Sequence, residues 1–285
     1  MRYPTISKTE SNALKVPGAT IYYEIRGSGP TLVMIPGGPV DAGIFAGLAR
    51  SLADRYTVVA YDPRGISRST LDGASEDQQV DVLGDDAAQL IEALGGEPAY
   101  VLGTSGGGQI GLNLAARHPE RVRLLVAHEP PCATLLPDAQ QVLAQIEEVY
   151  ATYRREGARP GMRKFTELVA SGGTQQRQHR SSRVEPASEL GETFARIGGN
   201  LDYFLEHLLR PISFYLPDVE ALRGFPEKVV VGIGQESGGQ LASRSALALA
   251  SRLGTEPVVF PGDHGGYGAY PDSFAETLQG VLRSE

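Results

Sequence analysis

The chain has 285 residues, 41% of them hydrophobic and 21% charged, which allows one large domain or one domain with a substantial insert and excludes disordered, collagen-like and fibrous chains. Its 26 Lys and Arg against 34 Asp and Glu leave a formal charge of −8 with no basic cluster, so no nucleic-acid partner is expected. The single cysteine, Cys132, forms no intrachain disulfide or CxxC site, and nowhere are there the ~18 consecutive apolar residues that would span a bilayer, so a cytoplasmic protein without a membrane partner is expected.

Apolar runs recur along the chain at the spacing of strands. Ile21 to Ile25 alternates as an edge strand does, and a GSGP turn leads into Thr31 to Ile35, a continuous apolar run suited to a buried strand. Further buried runs are Thr57 to Tyr61, Ala99 to Gly103, Arg123 to His128, Lys228 to Ile233 and Pro257 to Phe260. Between them, Ile44 to Leu52, Val80 to Leu94, Gln109 to Ala116, Leu241 to Leu253 and Ser273 to Leu282 carry a helical period. Apolar strands alternating with amphipathic helices predict an α/β fold, a mostly parallel, doubly wound sheet covered on both faces.

The alternation breaks once. From about Ala133 to Arg223 no buried strand is predicted, while LPDAQQVLAQIEEVYATYRREG and LDYFLEHLL read as helices joined by loops such as SGGTQQRQHRSSR. A stretch of ~90 residues is too long for a plain loop, so residues 133–223 are expected to be a helical lid inserted into a core made of 1–132 and 224–285.

The strongest motif is GTSGG, where a predicted strand ends at Gly103, Ser105 sits at the turn and a helix follows. Small residues two places before and after the serine are what a sharp strand-to-helix turn requires, and the helix N-terminus behind it offers free N–H groups to an oxyanion. The lysine of a phosphate loop is missing, so Ser105 is the candidate nucleophile. Of the five histidines, His264 lies in a glycine-flanked loop between the last strand and the last helix, where it can reach Ser105 as a base. His118 is expected to cap a helix end, and His179 and His207 fall in the lid.

The chain order of serine, acid and histidine leaves two candidates for the acid that orients the imidazole. Glu236 follows the KVVVGIG strand, and Glu129 follows the RLLVAH strand, where Pro130 and Pro131 end the strand and point it inward. The oxyanion hole is expected to use the N–H of Gly106 and, from the PGGPVDAG loop, that of Gly38. In DPRGISRS, Asp62 and Arg64 are expected to hold the turn together without a catalytic role.

PGGP, DPRGISRS, GTSGG, RHPERV and GDHGGY, in this order, resemble the α/β-hydrolase fold superfamily over essentially the whole chain. Two positions depart from its pattern: Pro36 stands where a histidine is common, and Ser237 stands in the usual acid slot. Some members carry their acid one strand earlier, and there AHEPP is similar to the His-Glu pair of the zearalenone lactone hydrolases. The resemblance implies Glu129 as the acid, with His128 as a neighbour that shapes the pocket and Glu236 as the alternative. It does not reach the substrate, because those lactonases carry a lid tryptophan and this chain has none.

The expected activity is hydrolysis of a small apolar ester or lactone through an acyl-enzyme on Ser105, with no metal and no cofactor. Carbon-carbon bond hydrolysis or cofactor-free perhydrolysis by the same triad, and a non-catalytic ligand sensor, are the alternatives. The lid aromatics Tyr150, Tyr153, Phe165, Phe194, Tyr203, Phe204, Phe214 and Tyr215 are candidates to line the pocket.

Overall fold

A computed structural model describes residues 9–172 and 189–283. Near the N-terminus, β1 (Glu10–Val16) and β2 (Ala19–Arg26) form a hairpin, followed by β3 (Thr31–Ile35), α1 (Ala46–Leu52), β4 (Thr57–Tyr61) and the short β5 (Thr70–Leu71). Then come α2 (Val80–Ala93), β6 (Ala99–Thr104), α3 (Gly106–Arg117) and β7 (Val122–His128). A helical stretch holds α4 (Ala139–Glu156), α5 (Ala158–Ala170), α6 (Glu189–Tyr203), α7 (Leu209–Phe214) and α8 (Val219–Arg223). The chain closes with β8 (Val229–Gly234), α9 (Leu241–Leu253), β9 (Val258–Phe260), α10 (Gly266–Ala269) and α11 (Pro271–Leu282).

The described residues form a nine-stranded sheet in the order β1-β2-β4-β3-β6-β7-β8-β9, with β5 paired to β2. β1, β2 and β4 pair antiparallel, and every pairing from β4 through β9 is parallel. Parallel strands need covered faces, and the alternation of side chains along each strand supplies two cores. Val33, Ile35, Val101, Leu125 and Ala127 face one way, against Leu83 and Leu90 of α2, Ile110 and Leu114 of α3 and Leu249 of α9. Leu32, Met34, Leu102, Leu124 and Val126 face the other, against Leu48 and Leu52 of α1 and Phe274 and Leu278 of α11. Each Val, Leu, Ile, Met or Phe side chain among them, once fully buried, contributes on the order of 1.5–3 kcal/mol by leaving water.

Two strands escaped the sequence reading. Residues in β1 are mostly exposed, so it carries no apolar run, and pairing with β2 defines it. β5 has only two residues. In the helical stretch, a π turn over Phe204–Leu208 joins α6 to α7, and α5, α8 and the part of α6 before Leu201 are helices that the sequence reading does not contain. The stretch leaves from β7, returns into β8 and rests on the carboxyl edge of the sheet, where Gln109 of α3 donates to the Ile212 carbonyl of α7 at 2.9 Å. Apart from its first two residues, the SGGTQQRQHRSSR segment lies outside the described residues, as does His179.

In the turn after β4, Asp62 and Arg64 each hold a different partner. Asp62 accepts from the Ala42 N–H at 2.9 Å and from Arg68 Nε at 2.8 Å, while Arg64 forms a bidentate pair with Asp86 of α2 at 2.6 and 2.5 Å. Arg64 and Asp86 are both buried, so removing one partner strands a charge in low dielectric. Arg64→Met is expected to lower stability by about 3–5 kcal/mol in urea unfolding, and Arg64→Met with Asp86→Leu to recover most of it. A single variant as stable as wild type contradicts this account.

Candidate active site

The site forms where β6, β7 and β8 end. Thr104 of β6 pairs in register with His128 of β7, which pairs with Gly232 of β8. The ladder continues one residue further, with the Ser105 N–H donating to the His128 carbonyl and the Glu129 N–H to the Gly232 carbonyl, both at 2.9 Å. Ser105 has φ 54° and Glu129 φ 47°, in the left-handed region that costs a side-chain-bearing residue ~1–3 kcal/mol. The turn at Ser105 closes only because its flanks are bare: a Cβ at Gly103 would strike the Gly107 carbonyl, and one at Gly107 the Ile35 carbonyl.

Ser105 therefore caps the N-terminus of α3, whose Gly106 N–H is free at the positive end of the helix. The Gly38 backbone nitrogen, from the loop after β3, lies close by, 3.6 Å from where a Cβ on Gly106 would stand. His264 follows β9 and donates from Nδ1 to Glu129 Oε2 at 2.7 Å, which leaves Nε2 as its other polar edge. Glu129 Oε1 accepts from the Gly234 N–H at 2.8 Å, so both carboxylate oxygens are engaged. Glu236 is exposed on the turn after β8. Of the two acids weighed from the sequence, Glu129 is thus the one bonded to His264.

Glu129 is fully buried, and burial pushes its carboxyl up. The hydrogen bond and charge of His264, with smaller help from His128 and the Gly234 N–H, outweigh that and hold it below the usual glutamate value. His128 is packed edge-on against Phe260 and Phe274 and lies near Tyr267, behind the cavity wall. Burial lowers its pKa to about 4, so it sits in the core as a neutral ring. His118 and His207 serve elsewhere, the first 2.7 Å from Asp85 and the second 3.3 Å from Asp77.

Ser105, Gly38, Gly106 and His264 line one cavity of about 200 Å³. Its walls are apolar, with Val40, Ile146, Phe165, Phe204, Leu209 and Ile212 among them, and among the described lining residues there is no Asp, Glu, Lys or Arg. Of the aromatics between β7 and β8 that are candidates to line the pocket, Phe165 and Phe204 reach it, whereas Phe194 and Phe214 are exposed on the surface. Larger hollows of about 590, 600 and 380 Å³ do not contain Ser105, and Tyr267 lines both the second of them and the cavity. Gln109 was read from sequence only as the start of a helix, yet its amide ties α3 to the Pro131 carbonyl at 2.8 Å as well as to α7. A lone amide in a glycine-rich turn carries no sequence signal of such a role. Among the described residues no group of three or more His, Cys, Asp and Glu is arranged to hold a metal, and no helix is long and apolar enough to cross a membrane.

The chain belongs to the α/β hydrolase fold family, whose family model matches residues 30–196. It is 37% identical to the uncharacterized hydrolase YraK of Bacillus subtilis, over 96% of this chain and 97% of that one. It is also 26% identical to the zearalenone hydrolase of Bionectria ochroleuca, over 94% and 96% of the two chains. Among solved structures, the enol-lactonase of Burkholderia xenovorans LB400 superposes with a TM-score of 0.72 at 20% identity, covering 96% of this chain and all 100% of that one, a likeness of fold.

Because folded Glu129 binds its proton less tightly than unfolded Glu129, its contribution to stability is complete above the unfolded carboxylate range and is lost as pH falls through the lower folded value. Urea midpoints of wild type and Glu129→Gln are therefore expected to differ most near pH ~7 and to converge toward pH ~3. A gap that stays constant with pH contradicts the lowered value.

Proposed function

We propose that the protein is a serine hydrolase that cleaves a small, neutral, apolar carboxylic ester or lactone. The observation that carries this reading is the 2.7 Å Glu129 to His264 hydrogen bond, made by the same imidazole that lines the cavity with Ser105. With Nδ1–H held by the carboxylate, Nε2 is the unprotonated nitrogen and serves as the base. Ser105 Oγ attacks the substrate carbonyl as its proton passes to Nε2, and the N–H groups of Gly38 and Gly106 receive the oxyanion. The tetrahedral intermediate collapses, the leaving alcohol takes the proton from His264, and the acyl group stays on Ser105. Water, deprotonated by His264, then attacks the acyl-enzyme, and the acid leaves as Ser105 recovers its proton. Glu129 holds the ring in orientation and stabilises it while it is protonated. In a lactone, alcohol and acid leave as one opened product.

The cavity supports the substrate class. Its charge-free apolar wall disfavours an ionic substrate, which would lose its hydration there without a partner. Its size points to a small acyl group, since a cavity of about 150 Å³ takes a single benzene ring. The helices between β7 and β8 act as the lid over it, with Phe165 of α5 and Phe204 of the π turn facing the substrate. The relatives named as zearalenone hydrolase and enol-lactonase support a lactone among the candidates, though the cavity favours one much smaller than a macrocycle.

Burst kinetics with p-nitrophenyl esters of graded chain length test this reading. Wild type is expected to prefer acyl chains of about two to six carbons over chains of ~12. Ser105→Ala and Glu129→Ala are expected to lose on the order of a thousandfold or more in kcat, and Glu236→Ala to keep most of it. Wild type without burst or turnover on any ester defeats the proposal.

A further inference from the structure

Resting on the serine-hydrolase reading above, we propose that Asn200 of α6 is a positioning residue for the oxyanion hole, holding the loop that presents the Gly38 N–H. Gly38 has φ +62°, and a Cβ built on it would meet nothing within 4 Å, so the loop is open on that side. The loop must be held at its two sides. On one side Gly37 is wedged against the Gly106 nitrogen, the Thr104 carbonyl and Ser105 Cβ. On the other side Pro39, with its ring-locked φ, offers its carbonyl to Asn200 Nδ2 at 2.8 Å.

Asn200 is itself held without slack. It is 5% exposed, its Oδ1 accepts from the Ser67 N–H at 2.9 Å, and its Nδ2 also donates to Ser67 Oγ at 2.8 Å. Because one end must accept from a backbone N–H and the other donate to a backbone carbonyl, only one orientation of the amide satisfies the site. Ser67 stands at φ 48° in the turn whose Asp62 also accepts from the Ala42 N–H, so the turn and the Gly38 loop are bonded to each other as well as to Asn200. One helical turn earlier, Arg196 donates to Asp41 Oδ2 at 2.5 Å, and Asp41 Oδ1 accepts from the Gly43 N–H at 2.9 Å. Two side chains four places apart on one helix face thus grip the loop at Pro39 and Asp41. The lid helix thereby sets the height of the oxyanion donor.

Misplacing a reacting group by ~1 Å costs up to about a hundredfold in rate, and losing an oxyanion donor about a hundred- to a thousandfold. Asn200→Ala is expected to lower kcat on p-nitrophenyl acetate by about 10- to 100-fold while KM stays within about twofold, because ground-state contacts are untouched. Affinity for phenylboronic acid, which becomes tetrahedral on the serine and places an oxygen in the hole, should fall by a similar factor. Asn200→Asp, nearly isosteric, keeps the acceptor for Ser67 but loses the donor to Pro39, so it is expected to show the same losses and serves if the alanine variant does not fold. Retention of kcat and boronate affinity within about twofold by a folded variant overturns the inference, as does a loss confined to KM. Wild type that does not turn over the ester overturns the serine-hydrolase reading itself, a failure visible before any variant is made.

Discussion

The arrangement at the carboxyl edge depends on the register in which β6, β7 and β8 pair. Thr104, His128 and Gly232 stand level across three parallel strands, so the next residues of β6 and β7, Ser105 and Glu129, leave the sheet at the same height. A slip of one residue in either pairing would send each side chain to the opposite face. The two residues are turned into left-handed backbone, and the cost is offset by backbone hydrogen bonds to the adjacent strand and by two apolar cores that clamp the strands from both faces. His264 then needs only to hang from the loop after β9 to meet Glu129.

Around this edge the polarity is sharply divided. The frame is ionic, with Asp41, Asp62, Glu24 and Asp86 meeting Arg196, Arg68 and Arg64 through buried or half-buried pairs that lock the loops after β3 and β4. The cavity is apolar, and its described lining residues include His264 but no Asp, Glu, Lys or Arg. Low dielectric strengthens a hydrogen bond at its edge, so the Glu129 to His264 bond meets little competition from other charges. Such a division also explains why Cys132 and His128, both fully buried near the edge, take no part: burial pushes the thiol up and the imidazole down, leaving both neutral.

How much of this was legible in the sequence depended on whether the signal was local. The runs that became β3, β6, β7 and β8 are continuous and apolar because both faces of the sheet are covered, and they were readable as strands. GTSGG was readable because steric closure demands bare positions at Gly103 and Gly107. By contrast β1 is an exposed edge without an apolar run, and α5 opens on ARPG, a weak start for a helix that is held by packing of Phe165, Leu168 and Val169 in the core. Arg64 finds Asp86 at a sequence separation of 22, and Asn200 reaches Pro39 at a separation of 161, distances over which a lone residue carries no pattern. The choice between Glu129 and Glu236 stood open on residues alone and tipped to Glu129 only through family resemblance, whereas the geometry puts Glu129 against His264 and Glu236 on the surface.

The central claim, an acyl group carried by Ser105, is tested most directly by quenching the reaction with a p-nitrophenyl ester in acid within milliseconds and measuring the intact and digested protein by mass spectrometry. The account predicts a mass increase equal to one acyl group, located on the peptide that contains Ser105, decaying at the rate of turnover and missing from Ser105→Ala. Turnover with no acyl adduct, or an adduct on another residue that persists in Ser105→Ala, would contradict it.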